Sequence, residues 1–215
     1  MDGIIQAITV YAIPVLLAIT LHEAAHGYVA RMFGDSTAYM LGRVTLNPLK
    51  HIDPVGTVIV PLAILFSSRL LGGGGFLFGW AKPVPVNFGN LRQPKRDMIW
   101  VAAAGPGINL LMAIGWVLFA RILVAAGVQE TFFFQMARAG LEINITLMAL
   151  NLLPLPPLDG GRILVGLLPR SLAYPLSRVE PYGFFILIAL LVTNTLGFFI
   201  EPFVRFGTAV VRLFV

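Results

Sequence analysis

The chain has no cysteine and only three histidines among its 215 residues. Without cysteine there is no disulfide framework and no thiolate metal site, so any metal would have to use imidazole and carboxylate ligands, a set that suits zinc best. Charge is also scarce: Asp, Glu, Lys and Arg make up 12% of the residues, against roughly 25% in soluble domains. No polar stretch is long enough for a separate soluble domain, and there is no internal repeat or low-complexity tail. What dominates is apolar: hydrophobic residues make up 58% of the chain and its mean hydropathy is +0.87. Such a composition describes an integral membrane protein with several spans. In that setting the net charge of +5 reports topology and contact with anionic headgroups rather than nucleic acid.

Two of the three histidines fall in Leu21-His22-Glu23-Ala24-Ala25-His26. On a helix, residues four apart share a face, so His22 and His26 can offer two imidazole nitrogens to one metal. Glu23 then lies beside the first ligand, where it could act as base for an attacking water. The bland alternative is a pair of surface histidines with a salt-bridged Glu. Against it, Ile4 to Leu21 is almost wholly apolar, and an acid with two imidazoles in such a segment is costly unless it serves a site. The N-terminus also lacks the basic region of a cleaved signal peptide, and cleavage after the apolar run would remove or strand the motif.

Taken in order, residues 4 to about 33 read as a first span ending at Gly34-Asp35. Asp35 to Pro48 is polar and partly alternating (Tyr39, Leu41, Val44, Leu46), which suits a short β-hairpin or edge strand over 38–46, or a plain loop. His51, in the turn-rich link that follows, could be a further metal ligand or a gate, or could hydrogen-bond nearby backbone. The segment 55–88 is apolar but broken by Pro61 and Gly72-Gly73-Gly74-Gly75, which predicts a re-entrant or hairpin excursion, or a full span ending at 71. Met98 to about Ala126 is a clear span, with Gly105-Pro106-Gly107 and Asn109 suited to close helix packing. Phe132 to Leu153 is another, with Arg138 and Glu142 spaced as an ion pair. Pro154, Pro156 and Pro157 then break the helix, and Asp159 begins a short one running to about Leu168. Asp159 could cap that helix, or it could be the third metal ligand, since a His-Glu-x-x-His site needs one more and leaves a fourth position for water. A polar link over 169–180 leads to a last span, Gly183 to Ile200, and an amphipathic tail to Val215.

The fold expected is an all-α polytopic membrane protein. It has about four to five transmembrane helices, a re-entrant or hairpin segment, and a short β-hairpin near the site. One domain, 1–215, is expected, with a core at 4–168 and a C-terminal span and tail at 181–215. If the first span runs inward and 55–88 returns, most Lys and Arg fall on the cytoplasmic side. His22, His26 and Asp159 then share one depth near that face.

With both motifs in hand, the chain resembles the site-2 protease family of intramembrane zinc metalloproteases, in its compact bacterial branch. The resemblance rests on His22-Glu23-Ala24-Ala25-His26, Gly105-Pro106-x-x-Asn109 and Asn151-x-x-Pro154-x-Pro156-x-x-Asp159-Gly160. Gly79-Trp80-Ala81-Lys82-Pro83-Val84-Pro85-Val86-Asn87 and Gly42-Arg43-x-Thr45-Leu46-Asn47-Pro48 also match that branch. It implies one zinc ion per chain held by His22, His26 and Asp159, with Glu23 as catalytic base and Asn151 positioning substrate or the oxyanion. Lys82, Pro83 and Asn87 would contact an unwound transmembrane substrate, the strand at 38–46 helping to hold it by strand addition. A bacterial or archaeal inner membrane, with the site toward the cytoplasm, is the expected location. The chain has no room for the PDZ or CBS domain the family often adds. Two other classes fit parts of the pattern: a membrane metal transporter or metal-binding protein, which has no need of Glu23 beside a ligand, and a non-catalytic protease-like scaffold.

Overall fold

In a bilayer each backbone polar group must be satisfied internally, so apolar runs of this length fold as helices. The computed structural model describes residues 2–59 and 82–215. Helix α1 is Asp2–Met32, and its portion Thr9–Met32 is long and apolar enough to cross a membrane. It ends at Gly34, whose φ of 112° lets the chain turn. The Gly34 and Asp35 amides bond back to the Arg31 and Ala30 carbonyls at 3.1 and 2.9 Å, satisfying the last turn of the helix.

The strand expected over 38–46 does not form. Asp35 Oδ1 accepts the Thr37 amide at 3.0 Å and starts a helical turn, α2, Thr37–Met40. Gly42, at φ 62°, then turns the chain again. The apparent alternation at Tyr39, Leu41, Val44 and Leu46 thus falls on a turn and bends, and no strand occurs among the described residues. Of the excursion expected over 55–88, residues 60–81 lie outside the described residues. Residues 82–87 carry no regular secondary structure and lead into a 3₁₀ turn, Phe88–Asn90, capped by Asn87.

Helix α3, Pro94–Ala125, is the second helix among the described residues that is long and apolar enough to cross a membrane. Pro94 begins it, and Asp97 Oδ2 accepts the Gln93 amide at 2.7 Å, so it starts before the expected Met98. Helix α4, Thr131–Asn151, carries the Arg138–Glu142 pair at 2.8 Å on its exposed side. Beyond the proline-rich break come α5, Asp159–Leu167, and α6, Arg170–Ser177. The latter is helical where a polar link was expected. Helix α7, Glu180–Val192, is bent 66° from α6, and the pair is long and apolar enough to form one broken span.

The run 183–200, expected as one span, is interrupted before α8, Leu196–Arg212. Asn194 takes φ 58° there, and the Thr193 and Thr195 hydroxyls donate to the Ala189 and Leu190 carbonyls at 2.7 and 3.2 Å. The Thr193 and Thr195 amides bond the same two carbonyls at 2.9 Å, so the last turn of α7 stays satisfied where the chain breaks within an apolar segment. Among the described residues, two helices, or three spans counting the broken pair as one, thus have the length and apolarity to cross a membrane.

Helix α3 packs on α1, α4 and α5, and α8 packs on α4. One apolar cluster joins Ala113, Ile145 and Val211 of α3, α4 and α8. Another joins Ala30, Leu91 and Val101 with Val86 and Phe88. Large apolar side chains such as Ile13, Leu16 and Leu17 of α1 and Leu111, Leu118 and Ile122 of α3 point outward. Thr20, His22, Asn109, Asn144 and Asp159 are buried. Lipid tails offer no hydrophobic drive for helices to associate, so close packing and polar contacts in the interior hold the bundle together.

Candidate metal centre

His22 and His26 are one turn apart on α1, their rings edge to face with centroids 4.7 Å apart. Helix α5 brings Asp159 to them. The two Nε2 atoms are 3.1 Å apart, and Asp159 Oδ2 lies 3.3 Å from each. Two donor atoms each about 2.0–2.1 Å from a tetrahedral zinc are roughly 3.3 Å apart. The triangle therefore has the dimensions of one face of a zinc coordination tetrahedron.

Hydrogen bonds on the far side of each ring settle which nitrogen faces this point. His26 Nδ1 lies 2.7 Å from the Val101 carbonyl. A carbonyl only accepts, so Nδ1 carries a proton, and in its neutral, metal-binding form the ring turns its Nε2 lone pair inward. His22 Nδ1 lies 2.6 Å from Asn109 Oδ1. The Asn109 amide cannot be reversed, because its Nδ2 donates to Ala18 O at 3.3 Å and Asn144 Oδ1 at 2.9 Å. Asn144 in turn donates to Gly140 O at 2.8 Å. With both rings neutral, two imidazole lone pairs and a carboxylate oxygen face one another, and Asp159 Oδ2 is buried without a hydrogen-bond partner. A proton would serve one pair of these atoms, whereas a metal ion serves all three. His22, His26 and Asp159 are the group that could hold a metal among the described residues, and its donor set fits zinc.

The surrounding sequence makes room for this convergence. A Cβ on Gly105 would come 2.6 Å from His22 Nε2, so only glycine lets α3 approach the imidazoles. Asn109, one turn on, receives His22. Asp159 is the first residue of α5 rather than its cap: Leu158 holds the cap position and no side chain caps the turn. The carboxylate sits instead at the positive end of the helix, which favours its charged form. Gly160 and Gly161 lie where added side chains would collide with the backbone of Leu152 to Pro156, which allows α5 to fold back tightly against the break.

The other expected residues lie around this centre. Glu23 is half-buried, and its Oε2 accepts the Val84 amide at 2.7 Å. Asn151 Nδ2 donates to Leu147 O, one turn back, at 3.0 Å. The Lys82 and Pro83 carbonyls face the Arg43 guanidinium at 3.0 and 3.4 Å, and the Asn87 amide donates to Asp35 Oδ2 at 2.7 Å. His51 is buried but stands apart from the cluster, its Nε2 3.0 Å from Thr45 O, so the backbone-bonding role is the one it fills. Sequence reasoning missed Asn144. An amide in the middle of an apolar helix was the available signal.

Groups that orient a metal-ligating histidine from behind typically contribute 10–100-fold to metal affinity. Asn109→Leu is therefore expected to weaken zinc binding by about 10- to 100-fold, read by competition with a chromogenic chelator. Unchanged affinity would mean that the relay through Asn109 does not orient His22.

Residues 123–193 match the family model for peptidase family M50. Over 209 residues the chain is 37% identical to YwhC of Bacillus subtilis strain 168, named as a zinc metalloprotease; the match covers 94% of this chain and 89% of that one. It is 33% identical over 182 residues to Rip2 of Mycolicibacterium smegmatis, covering 85% of this chain and 66% of that one. With Rip2 of Mycobacterium tuberculosis strain H37Rv it shares 30% identity over 189 residues, covering the same shares, 85% and 66%. Both Rip2 proteins are likewise named as zinc metalloproteases. No solved structure matches the chain. An apolar helical bundle that brings together a zinc-type donor set, and that matches YwhC over nearly the full length of both chains, belongs to peptidase family M50, the site-2 protease family of membrane zinc metalloproteases.

Proposed function

We propose that this protein is an intramembrane endopeptidase, hydrolysing peptide bonds in or near the transmembrane segments of membrane-protein substrates. The observation that carries this reading is the convergence of His22, His26 and Asp159 between apolar helices, with Glu23 adjoining the first of them. In this reading His22 Nε2, His26 Nε2 and Asp159 Oδ2 hold one zinc ion. Bound zinc supplies a Lewis acid for the scissile carbonyl and acidifies the attacking water. Glu23 takes the proton released as the water oxygen bonds to the carbonyl carbon. It returns that proton to the amide nitrogen as the C–N bond breaks. Asn151, at the end of α4, releases Leu147 O and turns its amide toward the developing oxyanion.

A transmembrane substrate has its peptide groups internally hydrogen-bonded and must unwind to be cut. Among the described residues the Val84 carbonyl and the Val86 amide and carbonyl have no hydrogen-bond partner, which supports pairing of the unwound segment with this edge. Lys82, Pro83 and Asn87 flank these groups along the same path. The rest of the reading follows the apolar helices. Helix α4 crosses the membrane with α1 and α3, and the C-terminal helices bring the count to four or five. The domain is single, with its core at 4–168, and it works in a bacterial or archaeal inner membrane. The site faces the cytoplasm, where the positive-inside rule places most Lys and Arg. The partners are a transmembrane protein substrate and the bilayer, with no nucleic acid.

The test uses purified protein in proteoliposomes with a panel of single-span reporter substrates. Cleavage within the spans, mapped by mass spectrometry, should stop on zinc chelation and return with about one equivalent of zinc. Cuts confined to aqueous loops, or cleavage indifferent to chelation, would overturn the reading.

A further inference from the structure

The segment Lys82–Asn87 lies against α1 as a strap without regular secondary structure, held at separate points. The Lys82 amide donates to His51 O at 2.9 Å. Arg43 Nη2 donates to the Lys82 carbonyl at 3.0 Å and approaches that of Pro83 at 3.4 Å. At the far end Asp35 Oδ2 accepts the Asn87 amide at 2.7 Å, and Asp35 Oδ1 accepts Asn90 Nδ2 at 3.2 Å. Val86 and Phe88 pack into the apolar cluster around Ala30 and Val101.

Between these pins the strap donates one backbone hydrogen bond to α1. Pro83 and Pro85 have no amide hydrogen, so the only donor in residues 83–85 is Val84 N–H, and it goes to Glu23 Oε2 at 2.7 Å. Val84 is 7% exposed, and its side chain lies over Gly27, where a Cβ would stand 3.0 Å from Val84 Cγ1. A short, charge-assisted bond from a fixed amide is directional. It holds one oxygen of a side chain that would otherwise rotate about three torsions. Among the described residues the other oxygen, Oε1, accepts no hydrogen bond. Asp35 is fully buried. Burial alone would raise its carboxyl, but the bonds from Thr37, Asn87 and Asn90 outweigh this and hold it below the usual carboxylate range. The pin is therefore ionised at neutral pH.

We propose that the Lys82–Asn87 strap sets the working position of Glu23 through the Val84 amide, with Asp35 and Arg43 as the positioning residues that keep the strap in place. The inference rests on Glu23 being the catalytic base. It assigns the strap a task distinct from holding substrate, and the two tasks differ in which kinetic constant they move.

The test compares full-length wild type, Asp35→Asn, Arg43→Gln and Arg43→Lys in proteoliposomes on one reporter substrate. Asp35→Asn keeps an oxygen for the Thr37 amide, so α2 still starts, but turns its NH₂ toward the Asn87 amide, donor against donor. Arg43→Gln loosens the other end without touching Asp35. Both variants should lower kcat about 10- to 100-fold, the scale of a small misplacement of a reacting group. Bound zinc should stay unchanged, KM should move far less than kcat, and amide hydrogen exchange over 82–90 should quicken. Arg43→Lys, which keeps a donor for the carbonyls, should restore most of kcat. Full kcat with quickened exchange would overturn the proposal, and so would a raised KM with kcat intact, which marks the strap as a substrate platform only. Wild type that cleaves no substrate would overturn the protease reading and this inference with it. Full kcat in the loosened variants overturns this inference alone.

Discussion

Glu23→Gln is expected to bind zinc as wild type does and to lose cleavage by about 10²- to 10⁴-fold, the usual share of a general base. That loss corresponds to about 3–5 kcal/mol of barrier. The substitution is informative because it changes so little else. The amide oxygen of Gln can still accept the Val84 N–H that Glu23 Oε2 accepts at 2.7 Å, so the side chain and the strap keep their places. Glu23 is not one of the three converging donor residues, so the metal site is untouched. Only the capacity to take a proton is removed. The measurement pairs single-turnover cleavage of a reporter substrate with zinc quantification by elemental analysis. Retained activity would remove Glu23 from the chemistry. Zinc lost together with activity would make Glu23 a ligand, contrary to the geometry.

The second large effect is on the metal. Asp159→Ala removes the only carboxylate of the cluster and leaves the two Nε2 atoms, 3.1 Å apart, without an anion. Apparent binding free energies for four-ligand structural zinc sites are about 10–16 kcal/mol. An equal share per ligand makes the loss of one worth about 100- to 1,000-fold in affinity. Zinc should fall well below one equivalent after dialysis against a weak chelator, and activity should fall with it. The fold should persist, because Asp159 caps no helix and its Oδ2 makes no hydrogen bond. Full zinc retention would show that another group supplies the third ligand. His51 is poorly placed for that, since its Nε2 is turned to the Thr45 carbonyl.

Where the sequence misled, the cause was a local signal overridden by a neighbour. Alternation over 38–46 suggested a strand, but Asp35 captures the Thr37 amide and commits the chain to a helical turn. The polar character of 169–180 suggested a link, yet Arg170–Ser177 is helical even with Pro175 inside it. The apolar run 183–200 suggested one span, but Asn194 turns the chain at φ 58°, and the amides and hydroxyls of Thr193 and Thr195 close the last turn of α7 on the Ala189 and Leu190 carbonyls. In each case hydropathy was read correctly, but short-range hydrogen bonding decided the backbone.

The sequence by itself determined what depends on composition and on spacing within one helix. Its scarcity of charge and long apolar runs required helices in a membrane. The interval of four between His22 and His26 put both imidazoles on one face, and the prolines before Asp159 required a break where a new helix could begin. Only the tertiary structure decided what depends on separate helices meeting. It brought Asp159 to the histidines, set Asn109 behind His22 and Asn144 behind Asn109, aimed Val101 O at His26, and laid Val84 on Glu23. The physical reason is range. Helical periodicity fixes neighbours one turn apart, whereas the His22–Asn109 bond joins residues 87 apart and exists only once the packing of α1 on α3 has set their depth and rotation.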